Sequence, residues 1–221
     1  MKRMVAILAV FGALAVWVSF NSESSSVSAP TKRPGPVVMY GDSLLEEASP
    51  YVRSTEQVRA FGGTALCDWV DNIAKASALE QPSVMVIEFV GNNLTQCMNG
   101  YTTPEQIRAK YEADMSELKQ RVDAPILWVG PPRFRDRAPA AEGLYDSERR
   151  FVDAGQAVLA AGAYTDTLPC LPDEGPASGC VGGRIRVRAP DGAHFATSKS
   201  GYSSGARRFA DAIDAAVSDQ R

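Results

Sequence analysis

The stretch PVVMYGDSLLEE, residues 36–47, decides how the rest of the chain is read. A valine-rich apolar run at 37–40 breaks at Gly41-Asp42-Ser43, and a helix-compatible segment of Leu and Glu follows. An apolar run bounded by turn residues predicts a buried strand. Gly, Asp and Ser are ordinary turn residues, so taken alone the junction is a tight turn. It is also where a nucleophile would be mounted if a strand met a helix there, with Gly41 letting the chain turn sharply. The remaining elements decide between the two.

The same punctuation recurs along the chain. Further strands are expected at 57–61, at 83–90 (SVMVIEFV), at 126–129 and, more weakly, at 163–167. Helices are expected at 68–79, 104–122, 147–161 and 202–217. Pro104 suits a first-turn position. Ile107, Tyr111, Met115, Leu118 and Val122 recur at spacings of three and four, as do Ala206, Phe209, Ile213 and Val217. Each set is the apolar stripe of an amphipathic helix. Strands that are apolar on both faces and alternate with helices predict a parallel sheet covered on both sides. Ligands of such sheets bind at the carboxyl ends of the strands, so functional residues should follow the strands.

The chain has 221 residues, 45% of them hydrophobic and 22% charged, which is the composition of one ordinary globular domain. A net charge of −3 provides no basic field for nucleic acid. The N-terminus reads separately: Lys2 and Arg3 precede an apolar run from 4 to 20. A positive segment before an apolar one is the pattern of an export signal. Residues 1–20 are therefore a cleaved signal peptide or an uncleaved membrane anchor, residues 21–35 a Ser- and Pro-rich flexible linker, and 36–221 the domain. The expected location is extracellular, periplasmic or at the cell envelope. Contact with a membrane is expected only through that segment, and the domain is expected to be a monomer. The four cysteines suit an oxidising compartment. They allow three pairings. Cys170 and Cys180 bracket a Pro/Gly loop and are natural partners, which leaves Cys67 with Cys97. Zinc is the competing reading, but the chain has no CxxC pair and a single histidine.

Three polar signals follow the strands: Gly41-Asp42-Ser43, Phe61-Gly62-Gly63-Thr64 and Gly91-Asn92-Asn93. A fourth, Asp191-Gly192-Ala193-His194, precedes the last helix and holds the only histidine. A serine hydroxyl needs a base to take its proton, and the base needs a third group to orient it. Asp191 and His194, three apart on one loop, can supply both to Ser43. Candidate donors to a developing oxyanion are the Ser43 N–H, the N–H of Gly62 or Gly63, and the Asn93 amide.

These blocks, in this order, resemble the GDSL or SGNH hydrolase family, with likeness running from about 36 to 217. Gly41-Asp42-Ser43-Leu44 resembles its first block, Gly62 or Gly63 its glycine block, Gly91-x-Asn93 its asparagine block and Asp191-x-x-His194 its last. The resemblance implies a flavodoxin-like three-layer α/β/α sandwich on a central parallel sheet of about five strands. It also implies serine esterase chemistry without metal or organic cofactor, with Ser43 as nucleophile, His194 as base and Asp191 as its partner. The asparagine block of the family reads Gly-x-Asn-Asp, whereas this chain has Leu94 in the fourth position.

Two arginine alternations stand near the expected catalytic edge: Arg133, Arg135 and Arg137, and Arg184, Arg186 and Arg188. Residues two apart in extended chain share a face. Each row is either a charged edge strand or a binding surface for an anionic substrate, with Arg133, Arg135, Arg186 and Arg188 as candidates. Trp69 is a candidate pocket wall or a core residue. The expected function is an exported esterase removing short acyl groups, first of all from envelope carbohydrate. Lysophospholipase-type hydrolysis, acyl transfer by the same triad and a non-catalytic glycan-binding protein are the alternatives.

Overall fold

The computed structural model describes residues 34–130, 132, 157–160 and 166–221. Its centre is a five-stranded sheet in the order β2-β1-β3-β4-β5, every neighbouring pair parallel. The strands are β1 (Val37–Gly41), β2 (Val58–Ala60), β3 (Val84–Glu88), β4 (Ile126–Gly130) and β5 (Ala157–Ala160). The helices are α1 (Ser43–Ala48), α2 (Val70–Glu80), α3 (Pro104–Arg121) and α4 (Ser204–Gln220). This is the flavodoxin-like strand order, and its switch point lies between β1 and β3.

Period-two alternation sorts the buried strand residues into two cores. Val38, Tyr40, Met85, Ile87, Ile126 and Trp128 meet α2 and α3 through Val70, Ile73, Ile107, Tyr111, Met115 and Leu118. Val37, Met39, Val84, Val86, Leu127 and Val129 meet α1 and α4 through Leu44, Leu45, Ala206, Phe209, Ile213 and Val217. Both helical stripes seen in the sequence are thus the core-facing ones. Helix α3 starts where Thr103 accepts from the Gln106 N–H and Pro104 occupies the first turn, the arrangement that satisfies otherwise orphaned donors.

Two expectations change. Residues 157–160 of the expected third helix, 147–161, are strand β5, paired with β4; 147–156 and 161 lie outside the described residues. A four-residue run with two alanines carries little strand preference of its own, and the open edge of β4 decides its state. The expected strand at 163–167 is not the fifth strand of the sheet. Its residues 163–165 lie outside the described residues, and Thr167 opens β6 (Thr167–Pro169). Strand β6 pairs antiparallel with β7 (Arg184–Arg186) in a separate ribbon.

The cysteines pair as Cys67–Cys97 and Cys170–Cys180. The first bond joins the turn after β2 to the loop after β3, both at the carboxyl edge of the sheet. The second closes the loop between β6 and β7. In the chain-entropy picture, sequence separations of 30 and 10 correspond to about 4 and about 3 kcal/mol of stabilisation. Among the described residues no helix is long and apolar enough to cross a membrane.

Candidate active site

Strand β1 ends at Gly41, Asp42 caps α1, and Ser43 is the first residue of that helix. Asp42 is fully buried and binds three donors: the Leu44 N–H at 3.1 Å, the Val90 N–H at 2.9 Å and the Asn92 amide at 3.0 Å. The Asn92 amide also reaches the Thr64 carbonyl at 3.1 Å. One aspartate and one asparagine therefore tie together the loops after β1, β2 and β3. Burial raises the Asp42 carboxyl to about 6, against the pull of the Val90 and Leu44 N–H groups. Glu88, fully buried at the end of β3, stands in register with Gly41, the neighbour of Asp42. Two carboxyl groups buried this close disfavour ionising together, so one of them tends to keep its proton.

The loop before α4 carries the other half. His194 Nε2 lies 3.2 Å from Ser43 Oγ, and His194 Nδ1 lies 2.8 Å from Asp191 Oδ2. A carboxylate only accepts, so a neutral His194 ring carries its proton on Nδ1, and Nε2 faces the hydroxyl as an acceptor. The second oxygen of Asp191 accepts from the N–H groups of Ala193 at 2.9 Å and His194 at 3.0 Å. Burial would raise this carboxyl, but the hydrogen bonds from the His194 ring and backbone and from the Ala193 N–H hold it at about 2. Asp191 is therefore ionised throughout the physiological range.

Two carboxylates on α1 meet this frame. Glu47 Oε2 accepts from the Phe195 N–H at 2.9 Å, joining the nucleophile helix to the histidine loop. Burial raises the Glu47 carboxyl, opposed by that N–H. Glu46 Oε2 accepts from the Gly62 N–H at 2.7 Å. Gly62 packs beside Ser43, where an added Cβ would fall 3.6 Å from Ser43 Cβ. Gly63 stands in the left-handed region at φ 77° with open space around it, so its conformation, not its contacts, calls for glycine. Asn93 gives one amide hydrogen to the Tyr101 carbonyl at 3.3 Å and has a second to offer.

The chain aligns with solved structures over most of its length. The C-terminal catalytic domain of Streptococcus pneumoniae peptidoglycan O-acetyltransferase A matches with TM-score 0.57 and 16% identity, over 85% of this chain and 95% of that one. An acetyl esterase structure with an acetate ion gives 0.54 and 11%, over 84% and 97%. A carbohydrate esterase family 3 enzyme from Talaromyces cellulolyticus gives 0.53 and 12%, over 84% and 97%. The fold is that of the SGNH hydrolases. No protein-family profile matches the chain, and no curated protein does.

Within the SGNH frame, Ser43, Asp191 and His194 come together, and of the two glycines it is Gly62 that lies against Ser43. Arg188 does not join them. It is 2% exposed, stacks over Phe195 with its guanidinium 5.4 Å from the ring centre, and donates to the Ala193 carbonyl. Strand β7 ends at Arg186, and Arg188, bridged antiparallel to Phe195, runs under the histidine loop instead of continuing the row. Arg186 is exposed on β7, and Arg184 beside it binds Thr167 across the ribbon; Arg133, Arg135 and Arg137 lie outside the described residues. Trp69 donates to Thr64 Oγ1 at 3.0 Å and packs edge-on against Tyr40. It lines a cavity of about 240 Å³ with Tyr40, Arg59 and Glu80 on the α2 side. Asp42 and Asn92 stand inside the blocks Gly41-Asp42-Ser43 and Gly91-Asn92-Asn93, where the sequence assigns neither a role of its own. Glu46 and Glu47 carry no signal, since they look like the polar face of any short helix. Phe61 and Leu94, 65% and 84% exposed, flank Gly62 and Asn93 in sequence as apolar neighbours of the site.

Proposed function

We propose that this chain is an exported serine esterase that removes short acyl groups from carbohydrate of the cell envelope. The observation that carries the reading is the line Ser43 Oγ, His194 Nε2, His194 Nδ1, Asp191 Oδ2, with links of 3.2 and 2.8 Å. As Ser43 Oγ bonds to the ester carbonyl carbon, its proton passes to His194 Nε2 and the carbonyl oxygen becomes an oxyanion. Asp191, already ionised, holds the ring and offsets the imidazolium charge. The donors assigned to the oxyanion are the Ser43 and Gly62 N–H groups and the free Asn93 amide hydrogen. The carbon–alkoxy bond then breaks, the alkoxide takes the proton from His194, and the acyl group stays on Ser43. Water attacks that ester with His194 again as base; the acid leaves and Ser43 recovers its proton.

Export is supported by the two disulfides and by the basic-then-apolar N-terminal segment. The choice of O-acyl carbohydrate is supported by two of the structural neighbours, titled a peptidoglycan O-acetyltransferase and a carbohydrate esterase. A sugar hydroxyl in place of water would resolve the same acyl-enzyme as transfer, and product analysis with an added acceptor separates the two. The decisive experiment is hydrolysis of p-nitrophenyl acetate by residues 34–221 of the chain and by its Ser43→Ala and His194→Ala variants. Both substitutions should lower kcat by roughly 10³-fold or more. Equal turnover by the wild-type and Ser43→Ala proteins would remove the esterase reading.

A further inference from the structure

An oxyanion hole holds its oxygen about 2.7–3.1 Å from each donor. Glu46 Oε2 stands 2.7 Å from the Gly62 N–H, a donor that packs against Ser43. Glu46 lies three residues beyond Ser43 on α1, which places both side chains on one face of the helix. A carboxylate of the chain itself thus sits where the oxyanion would sit with respect to that donor. Glu46 is exposed, so its side chain is free to swing into solvent when another oxygen takes the N–H.

We propose that Glu46 is a specificity-determining residue that occupies the oxyanion donor in competition with the ligand. Resting on the esterase reading of this site, it makes every bound acyl group displace a charged hydrogen bond. Even when displaced, its carboxylate keeps a negative charge near the acyl group. The first effect weakens binding of all esters and of the carboxylate product by one common factor. A protein whose competent state is only partly populated shows an affinity reduced by that fraction. The second effect selects by charge: acyl groups bearing a carboxylate are disfavoured against neutral ones of equal length. The charge at this position therefore opposes the anionic acyl substrates that the arginine rows suggested.

Two variants separate occupancy from charge. Glu46→Ala removes both, while Glu46→Gln keeps a neutral acceptor for the Gly62 N–H. With p-nitrophenyl acetate, Glu46→Ala should lower KM about five- to tenfold with kcat unchanged or higher. The inhibition constant of acetate should fall by the same factor, and Glu46→Gln should fall between it and wild type. The preference for a butyrate over a hemisuccinate ester should shrink roughly fivefold in both variants. Unchanged KM and acetate inhibition, or a loss of kcat/KM, would overturn the proposal. Should Ser43→Ala turn over esters as fast as wild type, the esterase reading fails on its own. Acetate titration followed by NMR in wild type and Glu46→Ala still decides the role of Glu46, tighter binding by the variant supporting it and equal binding overturning it.

Discussion

At Gly41 an added Cβ would fall 2.7 Å from both Cβ and Cδ2 of Leu45 and 2.8 Å from the Glu88 carbonyl oxygen. The residue belongs to β1 and is absent from the positive-φ glycines among the described residues. Its missing side chain is therefore a matter of distance: α1 folds back onto the strand so closely that only hydrogen fits. The turn that presents Ser43 is made instead by Asp42, which caps α1 through the Leu44 N–H. Gly41→Ala should cost about 1–3 kcal/mol through overpacking, read as a lower urea midpoint. The backbone carbonyl of Glu88 cannot rotate away, so the displacement must be taken up by α1, and ester turnover should fall with stability. An alanine variant that unfolds with the wild type would show that the helix has slack to give.

Helix α1 and the loop at 188–195 meet through contacts that set where His194 stands relative to Ser43. Glu47 takes the Phe195 N–H at 2.9 Å, while Arg188 donates to the Ala193 carbonyl beneath the same loop. Phe195 in turn packs so tightly on α4 that a Cβ on Gly205 would fall 2.7 Å from its ring. Glu47→Ala should lower kcat about tenfold with little change in KM, because a misplaced base slows chemistry without weakening binding. Glu47→Gln, which keeps an acceptor for the Phe195 N–H, should restore most of the rate; no rescue would mean that charge and not position is what Glu47 supplies. The limits of the sequence reading lie in these same places. Continuous apolar runs revealed β1, β3 and β4, and apolar stripes revealed α3 and α4, because burial imposes a period that local sequence must carry. The AVLA run of β5 has no such period and is strand by virtue of its neighbour. Ser43, Asp191 and His194 could be named because their residue types suit one chemistry. Glu46, Glu47 and Arg188 could not, since a charged side chain looks the same in sequence whether it faces water or braces a loop.

Two carboxyls of the site, one buried and one on the histidine loop, respond to pH in opposite senses, and the stability of the whole fold should record both. Asp42 is raised by burial to about 6, from the ordinary value of 3.8. The folded state therefore holds this proton more tightly than the unfolded chain does. Its contribution is fully present below 3.8 and is lost as pH rises towards 6, by roughly 3 kcal/mol. Asp191 is held at about 2, so its contribution is present above 3.8 and is lost as pH falls through 2. Half of the Asp191 side chain is exposed, and solvent screening makes its share the smaller one. Between pH 4 and 6 Asp42 should dominate this pair: stabilisation from Asp42 declines as pH rises while Asp191 is already ionised. Replacing Asp42 by Asn removes the titration and keeps an acceptor for the α1 cap. Urea midpoints measured at half-unit steps should then differ in slope, the Asp42→Asn protein losing less stability between pH 4 and 6 than the wild type. Parallel slopes would place the buried proton on Glu88 throughout this range and leave Asp42 ionised among its three donors.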